Sequence, residues 1–86
     1  MTIVWDESAW EDYLWWREQD QKVLRRINTL IRDMERNGNQ GIGKPERLGY
    51  GLHDYWSRRI TQEHRLVYKV TGDAIRIAMC RYHYAP

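Results

Sequence analysis

The chain of 86 residues has no phenylalanine, one cysteine and two prolines. A single cysteine, Cys80, cannot form an internal disulfide, so a reducing cytoplasm is the expected setting. No apolar run approaches the roughly 18 residues needed to span a bilayer. The N-terminus, MTIVWDESAW, also lacks the basic and apolar regions of a secretory signal. We therefore expect a single soluble, cytoplasmic domain over residues 1–86, with no membrane partner.

Five tryptophans and six tyrosines replace phenylalanine. Each carries an N–H or O–H group, so these rings suit the edge of a core or a binding surface. A core of this size is small, because so short a chain buries only about 60–65% of its unfolded surface.

The net charge of +2 is unevenly distributed. Residues 1–43 hold six Lys or Arg against eight Asp or Glu, whereas residues 44–86 hold eight against four. A polyanion is therefore expected to dock on the second half, although an ordinary solvated surface can also carry this charge.

Hydrophobic periodicity predicts an α+β fold, with two N-terminal helices packed on one face of a small, mostly antiparallel, twisted sheet. The first helix is predicted over residues 8–19, with Ser8 and Glu11 as a capping box. The second begins at Asp20 and ends at Asn37 and Gly38. The predicted strands are Thr2–Trp5, 55–60, 64–70 and 74–82, with Gly72-Asp73 as the turn between the last two.

A two-residue turn predicts a definite register for the last two strands, with Val70 opposite Ile75 and Arg65 opposite Cys80. The apolar face that the helices should cover then carries Leu66, Tyr68, Val70, Ile75, Ile77 and Met79. The opposite face carries Arg65, Lys69, Arg76, Tyr82 and Tyr84. Arginines interleaved with aromatic rings suit single-stranded RNA, with charge for phosphates and rings for unstacked bases. A solvated sheet face is an equally good interpretation of this pattern alone.

The segment GNQGIGK, from Gly38 to Lys44, has the spacing of a nucleotide phosphate loop. Such a loop follows a strand, opens a helix and has Ser or Thr after the lysine. Here the segment follows a predicted helix, and Pro45 takes the place of the hydroxyl residue. We therefore interpret it as a connector.

Metal-free RNA cleavage needs a base for the ribose 2′-hydroxyl, an acid for the leaving oxygen and a cation for the phosphorane. Glu46, His83 and Arg65 are candidates for these roles, although composition alone favours a structural role for His83. Cys80 and His83 form a C-x-x-H pair, but two ligands without a second pair do not predict a zinc site. We expect no metal and no cofactor.

The strings KPERL, YWSRRITQEHRLVYKV and CRYHY, behind IVWDESAWEDYLWW, resemble the YoeB/Txe branch of the RelE superfamily of bacterial toxins. The similarity runs from residue 3 to residue 84. It implies a RelE-like, microbial-RNase-like fold and a toxin of a type II toxin–antitoxin pair. Such a toxin is a ribosome-dependent endonuclease that cleaves mRNA in the ribosomal A site of the 30S subunit. The resemblance also implies a YefM/Phd-like antitoxin as partner, and a homodimer is a further expectation.

The resemblance assigns roles to particular residues. It implies Glu46 as general base, Arg65 as the arginine that stabilises the phosphate, His83 as general acid and Tyr84 as a substrate contact. The remaining RNA-contacting candidates are Lys44, Arg58, Arg59, Lys69, Arg81 and Tyr82. One departure from related sequences is Gly49, where a lysine is common.

The ideal register places His83 on the face opposite Arg65. A catalytic His83 therefore requires a bulge, a stronger twist or a departure from the sheet near Tyr82. Two other functions remain open, namely an RNA- or ribosome-binding module that blocks translation without cutting, and an interaction protein whose aromatic residues bind another chain.

Overall fold

The computed structural model describes residues 1–49, 51 and 54–83. In chain order the elements are β1 (Thr2–Trp5), α1 (Glu7–Gln19), α2 (Gln21–Asn37), β2 (Glu46–Arg47), β3 (Trp56–Arg59), β4 (Arg65–Thr71) and β5 (Ala74–Met79). The strands form one sheet in the order β1-β5-β4-β3-β2, in which only the β1–β5 pair is parallel among the described residues. The predicted α+β class is confirmed. The two-residue strand β2 was not predicted, because a pair of exposed charged residues has no apolar alternation.

Helix α1 begins one residue before the predicted cap. The N–H of Asp6 donates to the carbonyl of Ile77 in the sheet, while its own carbonyl accepts from Trp10 N–H. Asp6 is therefore both the end of the strand pairing and the N-cap, and the helix starts at Glu7. The predicted capping role of Ser8 is wrong, because Ser8 already lies in the first turn.

Helix α2 has the predicted ends. The carboxylate of Asp20 accepts from the backbone N–H groups of Lys22 and Val23, which satisfies two donors that a helix N-terminus leaves unpaired. At the other end Gly38 has φ 61°, and its N–H donates to Met34 O. This left-handed conformation costs glycine little, so the chain can turn back there.

The core lies between the helices and one face of the sheet. It contains Ala9, Trp16, Val23, Ile27, Leu30, Ile31, Met34, Ile60, Leu66, Tyr68, Ile75, Ile77 and Cys80. The α2 members recur at helical spacing and the strand members mostly at every second residue, as the sequence predicts. Within the described part of the chain, no helix is both long enough and apolar enough to cross a membrane.

The register of β4 and β5 begins as predicted, with Val70 opposite Ile75. It then shifts by one residue between Tyr68 and Val67. The pairs on either side of the shift are Tyr68 with Ile77 and Val67 with Met79. Ala78 is therefore the extra residue of a β-bulge, which reverses the side-chain direction of Met79 and of Cys80 just beyond the strand.

This bulge corrects two sequence-based assignments. Cys80 is fully buried in the core, while Met79 turns away from the helices and is only half-buried. Arg65 does not pair with Cys80, because its N–H donates instead to the carbonyl of Tyr82 at 2.9 Å. The predicted strand to residue 82 ends at Met79.

Candidate functional site

The sheet face opposite the helices, here called the open face, carries four of the residues expected to act on RNA, namely Glu46, Arg59, Arg65 and Lys69. Cross-strand pairing assigns to it Glu46, Ser57, Arg59, Arg65, Val67, Lys69, Arg76 and Met79. Residues directly opposite each other in a sheet point to the same side, so the register alone fixes this grouping. Ser57 and Val67 at its centre are buried, while Glu46 and Arg59 are exposed. A carboxylate and several cations thus surround a buried centre made of one small polar and one apolar side chain.

Glu46 reaches the open face through β2. It lies opposite Ser57, whose next partner across the sheet is Val67. Two strand spacings of about 4.8 Å therefore separate the strand of Glu46 from that of Arg65. The connector between α2 and β2 therefore returns the chain so that Glu46 lies on the open face.

The connector, residues 38–45, is held by Arg58. All five guanidinium N–H groups of Arg58 have partners. Nε donates to the Tyr68 hydroxyl at 3.1 Å, Nη1 to Asp33 and the Ile42 carbonyl, and Nη2 to the carbonyls of Gly38 and Gln40 at 2.7 Å each. Arg58 is completely buried. The expectation that Arg58 contacts RNA is therefore wrong, because it lies opposite Leu66 on the covered face and its donors are all used.

Asp33 completes this anchor from α2. Its carboxylate accepts from Arg58 and from the Ile42 N–H, and the bond from Arg58 is the main reason that the pKa of Asp33 lies below its usual value. The connector also packs closely at Gly43, which has φ 82° and whose carbonyl accepts from Arg59 N–H at 2.7 Å. A Cβ at Gly43 would lie 2.8 Å from Leu30 Cδ2. Specific contacts thus fix the position of the connector that leads to Glu46.

Arg65 has a fixed side chain. Its Nη1 donates to the carbonyls of Thr61 at 2.8 Å and of Gln62 and His64 at 3.1 Å, so the loop before β4 holds the guanidinium. Arg59, opposite Arg65 in the neighbouring strand, is exposed. Two arginines thus lie side by side on one face, one of them preorganised, and guanidinium groups in such an arrangement are suited to binding a phosphate group.

The segment that carries His83, residues 80–83, is bound to α1. The indole N–H of Trp16 donates to the carbonyl of Cys80 at 2.8 Å, and the Cys80 N–H donates to the Asp12 carboxylate at 3.2 Å. The guanidinium of Arg81 lies 3.5 Å from the centre of the Trp15 ring and 4.7 Å from that of Tyr82. Helix α1 therefore sets where the chain runs after β5.

Tyr82 turns this segment sharply, with φ 65°. Its N–H donates to Nδ1 of His64 at 2.7 Å, and its carbonyl accepts from Arg65 N–H. The peptide bond between Tyr82 and His83 thus lies against the backbone of Arg65. His83 is exposed and not buried under the helices. The departure from regular pairing that a catalytic His83 requires is present, as the bulge at Ala78 followed by the turn at Tyr82.

The other candidates differ in their surroundings. Lys44 is exposed in the connector, and Lys69 lies with its ammonium 5.7 Å from the centre of the Tyr55 ring. Tyr82 is 59% exposed, the largest value among the bulky apolar and aromatic side chains described as exposed. Tyr84 lies outside the described residues.

His64 was missed by the sequence analysis, because its contact with Tyr82 depends on the bulge.

Cys80 and Asp12 have pKa values raised by burial. The pKa of the Cys80 thiol rises to about 12, and its Sγ–H donates to the Ala9 carbonyl at 3.6 Å. The pKa of Asp12 is raised although the Cys80 N–H opposes the shift. Cys80 thus has a structural environment, as expected for a buried cysteine. Within residues 1–49, 51 and 54–83, no three His, Cys, Asp or Glu side chains form a cluster that could hold a metal ion.

Comparisons with known proteins agree on one family. Residues 5–84 match the family described as the YoeB-like toxin of bacterial type II toxin–antitoxin systems. The chain is 54% identical over 84 residues to Toxin YoeB of Escherichia coli K12, covering 98% of this chain and 100% of that protein. The chain belongs to the YoeB family of toxins.

Solved structures of family members share the fold. The YoeB/ParE toxin from Agrobacterium tumefaciens superimposes with a TM-score of 0.94 at 45% identity, covering 98% of this chain and 100% of that one. The YoeB of Staphylococcus aureus has been solved as a dimer, with a TM-score of 0.93, and in a heterotetrameric complex with YefM, with a TM-score of 0.91. Both match at 47% identity and 98% coverage of each chain. The resemblance seen in the sequence is thereby confirmed.

Proposed function

We propose that this YoeB-family toxin is a ribosome-dependent mRNA endonuclease that cuts translated message in the ribosomal A site and so inhibits translation. Glu46 removes the proton from a ribose 2′-hydroxyl, and the resulting oxygen attacks the adjacent phosphorus. His83 protonates the departing 5′-oxygen. The products are a 2′,3′-cyclic phosphate and a 5′-hydroxyl, with no metal or cofactor taking part.

The observation that carries this proposal is the shared location of opposite charges. Glu46, Arg59 and Arg65 share the open face, and the peptide bond leading into His83 is hydrogen-bonded to Arg65. Arg65 supplies positive charge to the phosphorane, where a preorganised cation is most effective. Arg59 is auxiliary to it. A carboxylate on this face has no use in simple phosphate binding, because it would repel the RNA backbone.

Further RNA contacts come from the rim of the face. Lys44 and Lys69 approach phosphates as point charges. Tyr82 and Tyr84 offer rings to unstacked bases, and Arg81, which contacts the rings of Trp15 and Tyr82, restrains the Tyr82 ring. Arg58 is not one of these contacts, because it is fully buried.

The proposal includes a YefM/Phd-like antitoxin as partner. An acidic segment that folds on binding would cover the open face and neutralise its cations. The Staphylococcus aureus YoeB–YefM complex supports this partner, and the dimer of the same YoeB supports a homodimer. The site of action is the cytoplasm, because the substrate is mRNA on the 30S subunit.

The decisive experiment adds purified protein to ribosomes translating a defined message and maps new RNA ends by primer extension. We expect cuts at the A-site codon, and Glu46→Ala and His83→Ala should each reduce them on the order of 10²- to 10⁴-fold. Glu35→Ala, an exposed carboxylate of α2, is the control and should cut normally. Arrest on uncut message would instead favour a binding module that blocks translation without cleavage.

A further inference from the structure

His64 provides a hydrogen-bond acceptor where the β-ladder has been interrupted. In regular antiparallel pairing, the N–H of Tyr82 would donate to a backbone carbonyl of the neighbouring strand. Here β5 has ended at Met79, and Nδ1 of the His64 ring accepts that bond at 2.7 Å. Nδ1 can accept only when it carries no proton, so this bond requires the neutral ring with its proton on Nε2.

The His64 ring is itself held in place. It stands edge-on to the Trp16 indole, with 4.7 Å between ring centres and an angle of 83°. The backbone N–H of His64 donates to Thr61 Oγ1, and its carbonyl accepts from Ile60 N–H and from Arg65 Nη1. Because both the ring and the backbone of His64 are held, the position of its Nδ1 is fixed, and so is the direction of the hydrogen bond from Tyr82.

Tyr82 needs such a restraint. A left-handed tyrosine is a strained conformation that persists only when its surroundings enforce it. Its N–H is held by His64 and its carbonyl by Arg65, so the turn is fixed on both sides. The direction in which His83 leaves the sheet follows from this turn, because His83 is the next residue along the chain.

We propose that His64 is a positioning residue of the endonuclease: its Nδ1 acceptor fixes the turn at Tyr82 and thereby holds His83 at the reacting phosphate. The inference rests on the proposed function for its consequence in catalysis. The hydrogen bond itself is independent of that function. A misplacement of about 1 Å at a reacting group can reduce a rate about 10²-fold, so loss of the acceptor should lower kcat by about that factor and leave KM largely unchanged.

Two substitutions of His64 test the hydrogen-bond acceptor and the aromatic ring separately. His64→Asn has a carbonyl oxygen where Nδ1 lies but loses the ring that packs on Trp16. His64→Phe keeps an aromatic ring and has no acceptor. If the His64 ring only fills space, His64→Phe will cleave faster than His64→Asn. If Nδ1 acts as a positioning acceptor, His64→Asn will cleave faster than His64→Phe.

The test measures cleavage kinetics on translating ribosomes, corrected for folded fraction, together with amide hydrogen exchange of Tyr82. We expect His64→Asn to retain most of kcat and most of the Tyr82 protection, and His64→Phe to lose both. Normal cleavage by His64→Phe, or equal Tyr82 exchange in the two variants, would overturn the inference while leaving the endonuclease intact. Absence of cleavage by the wild-type protein would overturn the proposed function, whatever the exchange data give.

Discussion

The guanidinium of Arg58 lies 2.5 Å from a carboxylate oxygen of Asp33 in α2, and it also binds the connector that leads to Glu46. Arg58 is fully buried on the covered face, whereas its sequence neighbour Arg59 is exposed on the open face. Adjacent arginines of one strand thus differ: the first stabilises the fold, and the second is exposed, as its proposed contact with RNA requires.

Arg58→Met should destabilise the protein by about 3–5 kcal/mol, because it removes a fully buried guanidinium and leaves the partly buried Asp33 carboxylate and three carbonyls without that donor. Arg59→Met is the matched control and should change the free energy of unfolding by no more than about 0.5 kcal/mol. Urea unfolding followed by tryptophan fluorescence measures both. In the cleavage assay, with rates corrected for the folded fraction, Arg59→Met should cut more slowly than Arg58→Met. Similar stability of the two variants would contradict the structural role of Arg58.

Asp33 should contribute to the pH dependence of stability. Its pKa is depressed in the folded state, chiefly by the bond from Arg58, so its contribution is present above the unfolded pKa of about 4. That contribution is lost as the pH falls from there through the folded pKa. Asp33→Asn should therefore be less stable than the wild type at pH 7, with a difference that shrinks toward pH 3. Parallel curves of urea midpoint against pH would exclude this linkage.

Cys80 should be nearly unreactive in the folded protein. With its pKa raised to about 12, the thiolate fraction at pH 8 is about 10³-fold below that of an ordinary cysteine, and burial blocks access further. Reaction with a chromogenic disulfide reagent should thus be at least about 10³-fold slower in buffer than in denaturing urea. Rapid labelling of the native protein would show that the segment around Cys80 opens readily.

Gly49 offers a position to strengthen RNA binding. No φ in the left-handed range is found there, and a Cβ would meet no atom within 4 Å, so a side chain fits. Gly49→Lys should bind single-stranded RNA more tightly and steepen the plot of log K against log salt by roughly 0.7, the value for one added phosphate contact. Gly49→Gln is the uncharged control. Equal salt slopes for the two variants would mean that the lysine reaches no phosphate.

Local patterns in the sequence predicted most of the elements. Apolar spacing, the Asp20 cap and the Gly38 end located α2, and the Gly72-Asp73 turn gave the first half of the β4–β5 register. These features depend on residues close together in the chain, where propensity and capping decide the structure. The family resemblance added the candidate residues, which periodicity alone did not distinguish from a solvated face.

Only tertiary structure decided the rest. The bulge at Ala78 exchanged Cys80 for Met79 in the core, where Cys80 is hydrogen-bonded to Ala9, Asp12 and Trp16 of α1. From the sequence, both Arg58 and Arg59 were candidates for RNA contact. Only the register of β3 and β4 shows that Arg58 lies on the covered face and Arg59 on the open face. The bond from Tyr82 to His64 joins residues 18 positions apart. Such contacts arise from the packing of distant segments, and a one-residue shift of register reverses every side chain beyond it.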